Sequence, residues 1–448
     1  MKRTMMALSA AVLLLLPLAG CTGEQPGAGN PVPADEDSPV LSINAAPTAE
    51  PASPAAAQPS EMPSSVTTLT VEQKLEDFDY IYTVLQQNFP FFEVNKRVYG
   101  VDWLANKEAY RDTLAATGDD AQFFESFNQI LGELHNLHTY LLNPDMYAYM
   151  RESYRNEPTL QPWNDILQQP QVERRYGVSD HAAGPGAETG GKDGTIQAIP
   201  VNKANVMKRI LEQGQSAYVW IRSFAKEQID YDGPMIRDFL QEIKDYRTLI
   251  IDIRGNGGGS QMYWMNMVEQ LIDQPLPDRK YLLFTGDEYQ QPFLKSMGYE
   301  TQPISRLDLD SLPNHPPETT QAFTSYFVSS YNIPPAPVGF KGDIYLIVDE
   351  GVYSSSESFA SYAKNTGFAT LIGEKTGGDG IGITPIFAAL PNSGYVLNFS
   401  WVLGLTKDGT CNEEFKTVPD VTVDAERNKD WHLDPAIQKA LELAAAKR

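Results

Sequence analysis

Five short apolar runs rich in β-branched residues constrain this chain most. They read AYVWIRSF, RTLIIDIRG, GDIYLIVDE, FATLIGE and YVLNFSWVL, all from residue 216 onward. Runs of this length, punctuated by Gly, Pro, Asn and Asp, predict buried strands. Between them lie PMIRDFLQEIKDY, QMYWMNMVEQLI and ESFASYAKNTG, whose apolar residues recur at helical spacing. Such alternation predicts an α/β core over residues 206–448, a largely parallel sheet covered by helices. With 448 residues and 42% hydrophobic composition, the chain has the apolar material for a sizeable core.

The first half reads differently. TVEQKLEDFDYIYTVLQQNFPFF and DAQFFESFNQILGELHNLHTYLL have helical periodicity, and the former opens on Thr70 with Glu72 and Gln73 as start signals. Residues 68–205 therefore form a mainly helical N-terminal domain, interrupted by a flexible loop at DHAAGPGAETGGKDG. Ahead of it, residues 21–67 are Pro-, Ala- and Ser-rich without a single Lys or Arg, the composition of a disordered tether. Residues 1–20 have basic Lys2 and Arg3, an apolar run and then Leu18-Ala19-Gly20 before Cys21. That is the pattern of a secretory signal, and it resembles a bacterial lipobox with Cys21 as the acylated residue. The expected address is extracytoplasmic, with membrane contact only through the lipid. Cys411 is the other cysteine of two, so a lipid on Cys21 leaves no intramolecular disulfide. A formal charge of −23 argues against a nucleic-acid partner.

Two stretches carry candidate chemistry. IIDIRGNGGGS, residues 250–260, runs a strand into consecutive glycines whose N–H groups can face an anion, or make a plain strand-to-helix turn. GVYSSSESF, residues 351–359, puts four hydroxyls at a helix start, where a serine is either a cap or a nucleophile projecting into solvent. Ser361-Tyr362-Ala363-Lys364 and Lys375-Thr376-Gly377 match penicillin-binding signatures, but lie too close together for that architecture.

Taken in order, LIIDIRGNGGG, IYLIVDEGVYSSSESFASYAKNTGFATLIGEKTGG and EEFKTVPDVTV resemble the core motifs of the S41 serine peptidases. The resemblance covers roughly residues 215–424 and implies a crotonase/ClpP-like catalytic core. It places the nucleophile at Ser354, with Ser356 left to cap the helix. It implies an oxyanion hole from the N–H groups of Ser355 and of Gly257 or Gly258. Processing peptidases of the family use a lysine 25 positions after the serine; here that position is Asp379. The other branch uses a histidine, which points to His138 in ELHNLHTYLL, with His135 as its rival. The third member aligns with Glu413, with Glu414 as the alternative. The segment 144–215 is short for a PDZ domain, so none is expected. The resemblance implies a peptide or protein substrate, acyl-enzyme hydrolysis, and neither metal nor cofactor; oligomeric state stays open. The competing reading is an inactive peptide-binding lipoprotein on the same scaffold.

Overall fold

In the computed structural model the described residues are 68–177, 204–379 and 381–447. The expected signal segment 1–20, Cys21, the tether 21–67 and the loop at 180–194 lie outside them.

The helix Val71–Asn88 begins as its sequence predicts. Thr70 Oγ1 accepts from the Gln73 N–H while Gln73 Oε1 accepts from the Thr70 N–H, a reciprocal cap. Its apolar face, Phe78, Ile81 and Leu85, is fully buried. Helices Phe92–Tyr99, Lys107–Ala115 and Asp120–Gly132 follow, and Asp119 caps the last by accepting from the Gln122 N–H.

Four of the five apolar runs form the centre of a six-stranded sheet. Ser216–Ile221, Thr248–Asp252, Asp343–Val348 and Thr370–Gly373 lie side by side and parallel. Val206–Glu212 closes one edge antiparallel and Val421–Thr422 the other parallel. Strands of the central run are buried on both faces, which explains their continuous apolar character. Helices Ile229–Glu242, Gln261–Val268 and Ser355–Thr366 cover one face, and Pro435–Ala446 the other.

The fifth run departs from expectation. Val396–Phe399 sits in a separate antiparallel sheet, between Ile386–Ala389 and the two-residue strand Tyr140–Leu141. A third sheet of four antiparallel strands, built around Asp278–Phe284 and Ser325–Tyr331, went unread because their charged and hydroxylated residues dilute the apolar signal. These antiparallel strands share one apolar core with the early helices: Phe78, Phe127 and Leu131 belong to the same cluster as Leu283, Phe387 and Trp401. The line expected at 205/206 therefore marks a change of secondary structure, not a break in packing.

Arg254, from the glycine-rich motif, is wholly buried. Its guanidinium donates to Asp252 at 2.6 Å, to Asp434 at 2.9 Å and to the Ala425 carbonyl at 3.0 Å. Burial works against the charge, but the two carboxylates outweigh it and raise the Arg254 pKa. Asp434 also caps the helix Pro435–Ala446, so this pair pins the C-terminal helix to the sheet.

Candidate active site

Backbone strain marks the site without reference to any motif. Among the described residues, four non-glycines have φ in the left-handed region: His135 (52°), Ser354 (57°), Asp379 (47°) and Lys416 (60°). Each such residue costs roughly 1–3 kcal/mol unless its surroundings over-determine it. They are scattered over 282 positions of sequence, yet each belongs to, or adjoins, one hydrogen-bonded cluster at the C-terminal ends of the parallel strands.

Ser354 stands between the strand Asp343–Val348 and the helix Ser355–Thr366, with φ 57° and ψ −127°. The turn is held from both sides. Tyr353 N–H donates to the Asn256 carbonyl at 3.2 Å, and Ser354 N–H donates to the Gly378 carbonyl at 3.3 Å. Ser356 does not cap the helix as expected. Its hydroxyl instead reaches back, accepting from the Tyr353 N–H at 3.2 Å and contacting the Asn256 carbonyl. It stitches the serine turn to the glycine-rich loop.

Nor does Ser354 project into solvent, being only 2% exposed. Gly258 closes over it. A Cβ on Gly258 would lie 2.8 Å from Ser354 Cβ and 2.9 Å from Ser355 N, so only glycine allows this approach. Of the two glycines expected as alternative N–H donors, Gly258 donates its N–H to Asn256 Oδ1 at 3.0 Å. The N–H groups of Gly257 and Ser355 have no protein acceptor among the described residues. The Ser355 N–H also opens a 12-residue helix, where the positive end of the dipole favours an anion.

His138 reaches the same place from the other end of the chain. Tyr140–Leu141 zips antiparallel onto Val396–Phe399, and Asn398 Nδ2 donates to the His138 carbonyl at 2.6 Å. The imidazole meets the ring of Tyr353, the residue before Ser354, edge-on at 4.9 Å. Its Nδ1 lies 2.7 Å from Asp379 Oδ2. The same oxygen accepts from Ser400 Oγ at 2.8 Å, Asn136 Nδ2 at 3.1 Å and Tyr353 OH at 3.2 Å. Burial pushes the Asp379 carboxyl up, but the imidazole charge and these hydrogen bonds prevail and hold it below the usual carboxylate value.

The residue on the ring is thus Asp379, and not Glu413 as expected from the motif. Glu413 is one step further back, its Oε1 accepting from Asn136 Nδ2 at 3.3 Å. Its Oε2 lies 3.4 Å from Lys416 Nζ, in ion-pair range but without hydrogen-bond alignment. Burial, then the charge of Asp379, push Glu413 up to about 8 against the pull of Lys416. Glu414, the alternative, faces outward and takes Arg97 Nη2 at 2.6 Å. Asp379 escaped sequence reading because its position suggested a missing lysine; one available signal was an acid in a Gly-Gly turn, but its histidine partner is 241 residues away.

His135, the rival histidine, and two other groups near the site have other occupations. His135 stacks on Tyr99 at 3.9 Å, with Nδ1 2.9 Å from Asn95 Oδ1. Cys411 is fully buried, and burial pushes its thiol up to about 12, too high for a nucleophile at neutral pH. Glu357, inside the serine helix, accepts from Asn412 Nδ2 and Thr417 Oγ1, both at 2.6 Å, and so clamps the segment bearing Glu413 and Lys416. No group of three His, Cys, Asp or Glu among the described residues is placed to hold a metal ion.

Comparison with known proteins agrees with this architecture. The model of peptidase family S41 matches residues 215–423, just under half of the chain. A curated protein of Chlamydia pneumoniae is 26% identical over 241 residues, which is 46% of this chain but only 38% of that relative's length. A crystal structure from Parabacteroides merdae, provisionally described as a peptidase, superposes with a TM-score of 0.52 at 19% identity. It covers 84% of this chain and 98% of its own, a likeness of fold. Mature CPAF covers 79% of this chain and 93% of its own at 12% identity, with a TM-score of 0.49. The S41 resemblance read from the sequence is borne out over the core, as is the mixed α/β fold with its helical N-terminal region.

Proposed function

From the S41 peptidase core carried by residues 215–423, we propose that the chain is a serine peptidase working through Ser354, His138 and Asp379. The observation that carries this reading is the His138 Nδ1 to Asp379 Oδ2 contact of 2.7 Å, beside a serine held in a strained strand-to-helix turn. With Nδ1 facing Asp379, Nε2 is the ring nitrogen that this reading assigns to proton exchange with Ser354. Ser354 Oγ attacks the peptide carbonyl as its proton passes to His138 Nε2. The N–H groups of Ser355 and Gly257 receive the oxyanion, and the imidazolium returns its proton to the departing amine. Water then releases the acyl group by the same route. Four donors on one Asp379 oxygen fix the acid in its ionised form, which holds the tautomer and supports the imidazolium.

The sequence also supports an extracytoplasmic lipoprotein anchored at Cys21. Mass spectrometry of the membrane fraction from the native host tests that address: an N-terminal peptide starting at acylated Cys21 is expected, and an unmodified Met1 peptide would contradict it.

A fluorophosphonate probe tests the chemistry. Wild type should label at one serine, while Ser354→Ala abolishes labelling and His138→Ala slows it by at least about a thousandfold. Labelling retained in Ser354→Ala removes the nucleophile. A folded wild type that neither labels nor cleaves a peptide library favours the inactive peptide-binding reading.

A further inference from the structure

Three of the four strained residues have a reason to be strained. Ser354 makes the turn, Asp379 turns its carboxylate to the ring, and His135 opens the segment that delivers Asn136 and His138. Lys416 remains. At φ 60° and ψ −177° it occupies a region that is essentially reserved for glycine. A glycine there would serve the backbone better, so the retained side chain points to a use for it.

That side chain lies directly on Gly378. A Cβ at Gly378 would fall 2.4 Å from Lys416 Cδ and 2.6 Å from Nζ, so the lysine stem and ammonium lie in the space that a side chain at Gly378 would fill. The lysine side chain is only 12% exposed, which limits solvent screening. From Nζ a continuous path runs to Glu413 Oε2 (3.4 Å), through Asn136 to Asp379 Oδ2 (3.1 Å) and to His138 Nδ1 (2.7 Å).

We propose that Lys416 is a positioning residue whose ammonium, seated on Gly378 and against Glu413, keeps the His138 imidazole neutral and able to accept a proton. The inference deepens the peptidase reading and rests on His138 being its base. A histidine facing buried carboxyl groups is drawn toward imidazolium, which cannot act as a base. The groups around this ring are Asp379 and the Tyr353 hydroxyl in contact with the site, Glu413 behind Asn136, and His135 three residues away on Tyr99. Glu357 faces Asn412 and Thr417 on the far side of Lys416, and Arg97 neutralises Glu414 at the rim. Lys416 is the cation that meets this group of side chains, through Glu413. Because burial and Asp379 keep Glu413 protonated at neutral pH, removing the lysine charge leaves the ring with one positive neighbour fewer.

The test reads the ring itself and needs no turnover. The chain is labelled at its five histidines, and the His138 signal is the one absent from His138→Ala. In Lys416→Met and Lys416→Gln the His138 titration midpoint should move to higher pH by about one unit, the order of effect expected when one charge is lost from partly shielded surroundings. Lys416→Arg should keep the midpoint within about 0.2 pH units of wild type, which a purely steric role would not require. A folded neutral variant with an unmoved or lowered midpoint overturns the inference. So does failure of both neutral variants to fold, since that assigns Lys416 to stability. An unreactive Ser354 toward fluorophosphonate would instead strike the peptidase reading and leave this titration result standing.

Discussion

Two buried charge clusters sit at the same end of the parallel sheet, and they are built on opposite plans. Around Arg254, one guanidinium faces Asp252 and Asp434 with regular backbone at every member. Around His138, two carboxyls, an imidazole and an ammonium crowd together, and the backbone is strained at Asp379 and Lys416. The first cluster pins a helix, and its geometry is satisfied without distortion. In the second, Glu413 is held protonated while Asp379, linked to it by one asparagine, is held ionised. Relaxed burial of charge goes with architecture here, and strained, unequal burial goes with the proposed chemistry.

The largest expected break in that contrast comes from the two acids. Asp379→Asn should lower kcat/KM, or the rate of fluorophosphonate labelling, by about 10³–10⁴-fold with the fold intact, because the ring loses its tautomer. Glu413→Gln should cost less than about tenfold, since a protonated acid and an amide present similar groups to Asn136. Equal losses from both would return the orienting role to Glu413.

Arg254→Met attacks the other cluster. It strands Asp252 and Asp434 without their cation, and should cost about 3–5 kcal/mol in urea unfolding. The labelling rate per folded molecule should hardly change. A rate collapse without a stability loss would show that the two clusters are not separate in function.

A smaller effect separates them by pH. Glu413 binds its proton up to about 8 when folded but only to its ordinary value of 4.5 when unfolded. Between those limits the folded chain holds the extra proton, so this contribution is complete below 4.5 and is lost as pH rises through 8. Asp379 works in the other direction: its contribution is present above the ordinary carboxylate range and disappears as pH falls through its lowered folded value. Unfolding free energies of Glu413→Gln should therefore fall less steeply than wild type between pH 5 and about pH 8. An unchanged slope would place that proton elsewhere, with Asp278, which burial pushes up to about 6, as the next group to examine.

The smallest expected change is a gain. Lys416→Gly should raise stability by about 1 kcal/mol, as relief of strain exceeds the entropy cost of glycine. A loss of that size would mean that the Lys416 stem on Gly378 matters more than its backbone.

Much of this arrangement was legible beforehand, for local reasons. Four apolar β-branched runs declared the parallel sheet, and the Thr70 cap declared the first helix. Motifs that preserve short-range order picked out Ser354 and His138, which the fold brings to the same turn, His138 against Tyr353. They did not pick out Asp379, since a carboxylate in a glycine turn is a signal that does not name its partner, a ring 241 residues away. The protonation of Glu413 was equally hidden, because it follows from burial and from a neighbour 34 positions away. Strain at Lys416 was invisible too, as residue type carries no record of φ. The strand Val396–Phe399 was found but placed in the wrong sheet, because its apolar run is the same whichever partner it takes.

The pairing of Tyr140–Leu141 with Val396–Phe399 has a consequence for how such a molecule comes into being. A ribosome delivers the imidazole more than two hundred residues before the hydroxyl, and the strand that moors it later still. On the proposed pairing of His138 with Ser354, no nascent fragment can own a working centre. On that reading, cutting power arises only when the last third of the chain closes on its first, so assembly itself would keep the blade sheathed until synthesis is almost done.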